Sequence, residues 1–185
     1  MAHAAQRQYI QSVKNLHPSL FNDASVLDVG SCDINGNNRE FFSLLEYTGV
    51  DVYPGPNVDV VSPIHEWEEE KTFDVVISTE CLEHDMHYSK SLSAMISRLN
   101  PGGLFIMTCA TTGRAEHGTL RTSKKDSMTT RLDDVEWGNY YKNLTENDIR
   151  ECLDIESLFS SYNFSVHLGH KDLYFWGIKK QLSDL

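Results

Sequence analysis

The sequence predicts an α/β fold: a doubly wound, mostly parallel sheet with helices on both faces and an antiparallel last strand. Three observations predict it. Short β-branched and apolar runs at 26–29, 47–53, 58–61, 73–78 and 104–109 are separated by helical periodicity or tight turns. The run at 73–78, Phe-Asp-Val-Val-Ile-Ser, is apolar enough to be buried on both faces, as parallel strands are. A last helical segment is followed by two apolar runs around Gly169-His170, the pattern of a closing hairpin.

Taken in order, Ala5, Tyr9, Val13 and Leu16 share one face of an N-terminal helix over 3–16. His17-Pro18 ends it, because the residue before proline avoids helical dihedrals. The first strand, Val26, Leu27 and Val29, is broken by Gly30 and Gly36, after which Phe41, Leu44 and Leu45 recur at helical spacing. Strand, glycine turn, helix is expected there. Such a turn lets a ligand lie against bare backbone, and the free N–H groups of a following helix receive polar or anionic atoms.

The second strand ends at Asp51, and Pro54-Gly55-Pro56 forces a tight connection into a short third strand at 58–61. Residues 62–72 are too polar for more than a short helix over Ile64 and Trp67. After the fourth strand at 73–78, Leu92, Met95, Ile96 and Leu99 mark a helix that Asn100-Pro101-Gly102-Gly103 stops, and 104–109 is the fifth strand. Residues 110–144 carry no periodicity, and a loop of that length is functional or disordered. Thr145-Glu-Asn-Asp148 is a capping box opening a helix through Ile149, Cys152, Ile155 and Phe159. The hairpin pairs 162–168 with 173–179.

The 185 residues suit one domain, 1–185, large enough to bury a core without disulfides or metal. With 16 basic and 27 acidic residues the net charge is −11, which argues against a protein that grips nucleic acid by neutralising phosphates. Cys32, Cys81, Cys109 and Cys152 form no Cys-x-x-Cys pair, so neither a zinc site nor a disulfide framework is signalled, and they fit a reducing cytosol. No apolar run reaches membrane-helix length and the N-terminus lacks a signal-peptide core, so a cytoplasmic protein without a membrane partner is expected. Oligomeric state is not written in these features.

The discriminating residue is Asp28, two positions before Gly30 at the carboxyl end of the first strand. A dinucleotide fingerprint would place glycines where Cys32 and Asn35 stand, so a nicotinamide cofactor is disfavoured. An acid beside the turn instead suits a cofactor carrying an ammonium group. Asp51 follows Asp28 by 23 residues, one βαβ step, where an acid can accept both hydroxyls of a ribose. The plain alternative for either is an acid capping a turn.

Four segments, 26–31, 49–51, 73–84 and 99–105, in this order and spacing, resemble the class I S-adenosylmethionine (SAM) dependent methyltransferases. The likeness runs from Ser25 to Lys179 and is greatest to the small-molecule group whose fourth strand runs into Leu-Glu-His, here residues 82–84. It implies a Rossmann-like sheet of seven strands ordered 3-2-1-4-5-7-6, and SAM as cofactor. It carries the first motif onto Asp28, Gly30, Ser31, Cys32 and Gly36, with Cys32 in place of the second glycine. Asp51 then takes the ribose, Glu80 faces the methionine end, and Val52, Ser62 and Ile64 contact adenine, since Ser62-Pro63 stands where an adenine-binding acid is common.

Candidate catalytic bases are His84, after the fourth strand, and His117, in Gly113-Arg-Ala-Glu-His-Gly118, where Glu116 is positioned to orient it and the flanking glycines give mobility. Either histidine can equally be a packing or solvated residue. His84-Asp85-Met86-His87 contains metal-capable side chains without a further ligand pattern, and no metal is expected. Arg114 to Arg131 holds five basic and two acidic residues, a patch suited to an anionic substrate or simply to solvent. Trp137, Tyr140 and Tyr141 wall an acceptor pocket or pin the loop.

The expected activity is methyl transfer from SAM to an oxygen or nitrogen of a small-molecule or glycan-like acceptor. The alternative is a catalytically silent SAM- or nucleotide-binding module acting as a partner subunit. A DNA amino-methyltransferase is disfavoured, because Ser78-Thr79-Glu80-Cys81 is not the Asp/Asn-Pro-Pro-aromatic motif of those enzymes.

Overall fold

The computed structural model describes residues 4–181, with Leu44 and Leu45 as backbone. Seven strands form one sheet: β1 Asn22–Val29, β2 Ser43–Asp51, β3 Val60–Val61, β4 Phe73–Thr79, β5 Leu99–Ala110, β6 Phe159–His167 and β7 Asp172–Lys179. Their order is 3-2-1-4-5-7-6, as the resemblance implies. β1 to β5 pair in parallel, while β7 runs antiparallel to both β5 and β6. The chain moves outward from β1 through β2 to β3, then crosses back to place β4 on the other side of β1. Where strand order reverses, the carboxyl ends of neighbouring strands open a crevice.

Alternation along the central strands sends side chains to two cores. Leu27, Val29, Phe73, Val76, Phe105 and Met107 face one, which is covered by Leu92, Met95 and Ile96 of α2 (Tyr88–Ser97), Ile149 of α4 (Glu146–Cys152) and Ile155 of α5 (Ile155–Leu158). Val26, Val75, Ile77, Leu104 and Ile106 face the other, covered by Ile10 and Val13 of α1 (Ala4–Leu16) together with Phe21, Phe41 and Phe42. Helices therefore flank both faces. The expected first residue of α1, His3, lies outside the described residues.

Several expected elements differ. No helix follows the glycine turn: the chain makes one 3-10 turn, Arg39–Phe41, and Leu44 and Leu45 already belong to β2. Thirteen residues separate Val29 from Ser43, and the wide loop of 30–38 uses most of them. Phe41 and Phe42 fill the space beneath, Phe42 stacking on Phe21 with ring centroids 4.6 Å apart. The glycine loop thus offers loop N–H groups rather than a helix N-terminus.

Residues 62–72 form a turn and extended chain, not a helix, with Ile64 buried. The Asn100-Pro101-Gly102-Gly103 stretch ends α2 but sits inside β5 as a bulge: Leu99 pairs with Phe73, and pairing resumes only at Leu104 with Val75. The helix expected through Phe159 breaks at Leu153-Asp154, because the Asp154 side chain caps α5 by accepting from Ser157 N at 3.2 Å. The capping box of α4 is formed as expected by Thr145 and Asp148.

Residues 110–144 are ordered and partly core. They contain two 3-10 turns, Lys124–Asp126 and Met128–Arg131, and a single helical turn α3, Val135–Gly138. Thr119, Met128, Trp137 and Leu144 are buried. Ser127 and Asp134 start two of these turns by accepting from Thr129 N and Trp137 N. Units this short leave no periodic signal.

Candidate functional site

The glycine loop is fixed by backbone chemistry. Gly30 has φ +77°, which favours glycine, and a Cβ there would lie 2.5 Å from both Cβ and Sγ of Cys81. Its N–H donates to Val50 O at 2.9 Å, so the loop leaves β1 by crossing over the end of β2. Gly36, φ +112°, donates from its N–H to Asp33 Oδ1 at 2.7 Å. Asn38 closes the loop: its amide donates to Asp28 Oδ1 at 3.2 Å and to Thr79 Oγ1 at 3.1 Å, tying β1 to β4.

Asp28 and Asp51 stand at the ends of β1 and β2, both buried. Asp28 also accepts from the Tyr47 hydroxyl. Asp51 accepts from Cys32 N at 3.0 Å and from Val52 N at 2.7 Å, one bond to each carboxylate oxygen. Burial pushes both carboxyls up to about 6, against the pull of these donors.

Beyond β4, Glu80 is buried in a left-handed backbone conformation, φ +51°, uncommon for a residue with a Cβ. It is held there by its N–H donating to Thr108 O and by Thr108 Oγ1 donating to Oε1 at 3.0 Å; Oε2 has no partner. Burial, and then the neighbouring Glu83 charge, push its carboxyl up to about 8. Across the crevice, Ser62 donates from Oγ to Pro63 O, so its hydroxyl is already turned toward the chain.

These residues border one cavity. All ten residues expected around the cofactor line it: Asp28, Gly30, Ser31, Cys32, Gly36, Asp51, Val52, Ser62, Ile64 and Glu80. Sequence reasoning missed Asn38, Cys81 and Met128, which also line it, as does Trp137. Asn38 lies in the Asn37-Asn38 pair after the loop and was open to notice as a turn residue. Met128 reaches the wall from a 3-10 turn far along the chain, and nothing in its neighbours marks it. Trp137 does both things considered for it, lining the cavity and pinning the loop through Nε1 to His84 O at 3.1 Å.

The two candidate bases meet at one end. His84 lines the cavity and is buried, while half-buried His117 does not line it and packs edge-on behind His84, ring centroids 5.1 Å apart. Tyr141 closes the group at 5.5 Å from His84 and 5.2 Å from His117. Gly118, φ +60°, allows this approach, since a Cβ there would meet His84 Cε1 at 2.5 Å. Burial lowers His84 to about 3 and shifts His117 in the same direction, so both imidazoles are neutral near pH 7.

Glu116 does not orient His117. Its carboxylate accepts from Thr119 Oγ1 at 2.7 Å and pairs with Arg121 at 2.9 Å, because those partners lie on its own side of the turn. His117 instead uses Nδ1 on Ala115 O at 3.1 Å. Nor do His84 and His87 converge: His87 packs on His65 and Trp137. Of the basic stretch, Arg114 is paired with buried Asp172, and Lys125 and Arg131 border a second, open cavity beside Cys32.

A family model described as a methyltransferase domain matches residues 1–167. No curated protein matches. Among solved structures, phosphoethanolamine N-methyltransferase 2 of Haemonchus contortus with S-adenosyl-L-methionine aligns at TM-score 0.64 and 19% identity, over 95% of this chain and 53% of that one. The chain thus spans about half the length of the nematode protein. N-methyltransferase NodS of Bradyrhizobium japonicum with S-adenosyl-L-homocysteine aligns at 0.61 and 17% identity, over 96% and 88%. A S-adenosylmethionine-dependent methyltransferase of Clostridium acetobutylicum gives 0.60 and 14%, over 94% and 90%. At such identities the likeness is one of fold.

Proposed function

The chain belongs to the methyltransferase-domain family, and on that premise we propose that it moves a methyl group from SAM to an oxygen or nitrogen of a small-molecule or glycan-like acceptor. One observation carries this reading: ten residues from separate segments, chosen for a SAM-like ligand, border a single cavity at the carboxyl ends of β1, β2 and β4.

The residues fit that cofactor. Each Asp51 oxygen accepts one backbone N–H and keeps a further lone pair for a ribose hydroxyl. The buried Ser31 hydroxyl and Glu80 Oε2 are unpartnered polar atoms at the same cavity, placed for the polar methionine end. Val52 and Ile64 give apolar contact for adenine. Asp28, engaged by Tyr47 and Asn38, sets the negative field and the shape of the loop rather than offering a free carboxylate.

SAM supplies a methyl group already activated on a sulfonium. The chain's part is to align the acceptor, keep water out and take up a proton. Met128 and Trp137 exclude water on the side of residues 110–144. His84 at the cavity, with His117 behind it, supplies neutral imidazole as the proton acceptor. The four unpaired cysteines are compatible with the reducing cytoplasm expected for the chain. Among the described residues no helix is long and apolar enough to cross a membrane.

The test is transfer from isotope-labelled SAM to a panel of amines and sugar hydroxyls. The nematode protein's name makes phosphoethanolamine the first amine to assay. A labelled acceptor supports the reading; tight SAM binding with no product from the panel or a cell extract would favour the silent partner-subunit alternative.

A further inference from the structure

Behind the cavity lies a group of side chains that cofactor binding does not account for. Glu83, His84 and His117 each offer one ligand-type atom, and these atoms lie within 4.8 Å of one another. Glu83 is wholly buried and His84 nearly so, yet His84 Nδ1 and His117 Nε2 have no hydrogen-bond partner, and the Glu83 carboxylate has only backbone N–H groups, its own and that of Ala110, near it. Buried polar atoms are ordinarily paired, and two orphaned imidazole nitrogens beside a buried carboxylate form a set that wants a common occupant.

From this convergence we propose that Glu83, His84 and His117 bind one divalent transition-metal ion. Two imidazoles and one carboxylate are a donor set typical of zinc and related ions, which leaves a coordination position open. Tetrahedral bonds of the usual length put donor atoms about 3.4 Å apart, so the observed spread closes around an ion with a shift of about 1 Å.

Proton positions agree. His117 Nδ1–H donates to Ala115 O at 3.1 Å, which leaves the lone pair on Nε2, the atom facing the group. A backbone carbonyl on the other ring nitrogen is how ligating histidines are usually oriented. Glu80, whose Oε2 is also unpartnered, adds a second carboxyl group nearby. The ion clasps residues 110–144 to the turn after β4, with Gly118 giving the close approach. It also makes the two imidazoles ligands, so the proton-acceptor role given to His84 belongs to the metal-free protein.

The site is assayed without SAM or acceptor, so its failure leaves the methyl-transfer reading standing and failure of that reading leaves the site standing. Full-length protein is stripped with chelator, dialysed and titrated with Co²⁺ as a spectroscopic probe, then with Zn²⁺ in competition. The expected result is one equivalent of Co²⁺ with visible ligand-field absorption, displaced by Zn²⁺. Affinity should fall at least about 100-fold in His117→Ala and Glu83→Gln. His87→Ala, outside the group, should keep it. His117→Ala alters a half-buried loop residue and is checked for folding by circular dichroism; if Glu83→Gln does not fold, His117→Ala alone decides. No ligand-field band in folded wild type, or an unchanged one in His117→Ala, overturns the proposal.

Discussion

Gly30 and Cys81 touch: a methyl group on Gly30 would overlap the Cys81 side chain at 2.5 Å, and Gly30 itself sits at φ +77°. The loop that begins β1's crevice and the turn that ends β4 are therefore packed against each other, and the cavity has its width because one of the pair has no side chain. Gly30→Ala should destabilise the fold by about 1–3 kcal/mol through dihedral strain and overlap together. Adding Cys81→Gly should recover the overlap part only. Urea denaturation of the single and double variants separates the two terms; full recovery in the double variant would mean that the dihedral costs nothing.

Asp28 and Asp51 carry carboxyls raised to about 6 by burial; holding the ribose through Asp51, in the negative field of Asp28, needs the charged forms. SAM affinity should therefore fall as pH drops from 7 through 6 toward 5. The bare fold responds with the opposite sign. A carboxyl whose folded value lies above its unfolded one favours the protonated state, so its contribution is present below the ordinary value near 3.8 and is lost as pH rises through about 6. Asp51→Asn should consequently gain stability relative to wild type between pH 5 and 7.5, by up to about 3 kcal/mol. Thermal melts of both proteins across that range check the slope.

The two histidines should separate. His84 borders the cavity and His117 does not, so His84→Ala should disturb both SAM affinity and turnover. His117→Ala removes only the ring packed behind His84, so it should lower kcat less than His84→Ala does and leave SAM affinity nearly intact. Full turnover by the His117 variant would remove that residue from the reaction.

Gly118→Ala puts a methyl group 2.5 Å from the His84 ring at φ +60°. It should lift the loop, lowering turnover with little change in SAM affinity. Limited proteolysis should show earlier cleavage within 110–144; an unchanged pattern together with unchanged turnover would contradict the role given to that contact.

The strands and the residues that border the cavity were legible because their signals are local. Val26, Leu27 and Val29 are β-branched or apolar neighbours in a row, and Asp28, Gly30 and Asp51 take their positions from strand ends and fixed spacing. The helix expected over Phe41, Leu44 and Leu45 was not, because their spacing also fits two phenylalanines under the sheet and a strand start. Residues 110–144 were opaque for another reason. Their order rests on single caps such as Asp134 on Trp137 and on burial of isolated side chains such as Met128, which no period records. The Glu83, His84 and His117 convergence joins residues 33 apart across a turn and a loop, a distance that only the folded chain closes.

The most direct measurement is calorimetric titration of SAM and S-adenosylhomocysteine into wild type and Asp51→Ala. The account predicts one site in wild type for both ligands. It predicts affinity about 10- to 150-fold weaker in Asp51→Ala, the loss of charge-assisted hydrogen bonds to the ribose. No binding by folded wild type, or equal affinity in the variant, would contradict it.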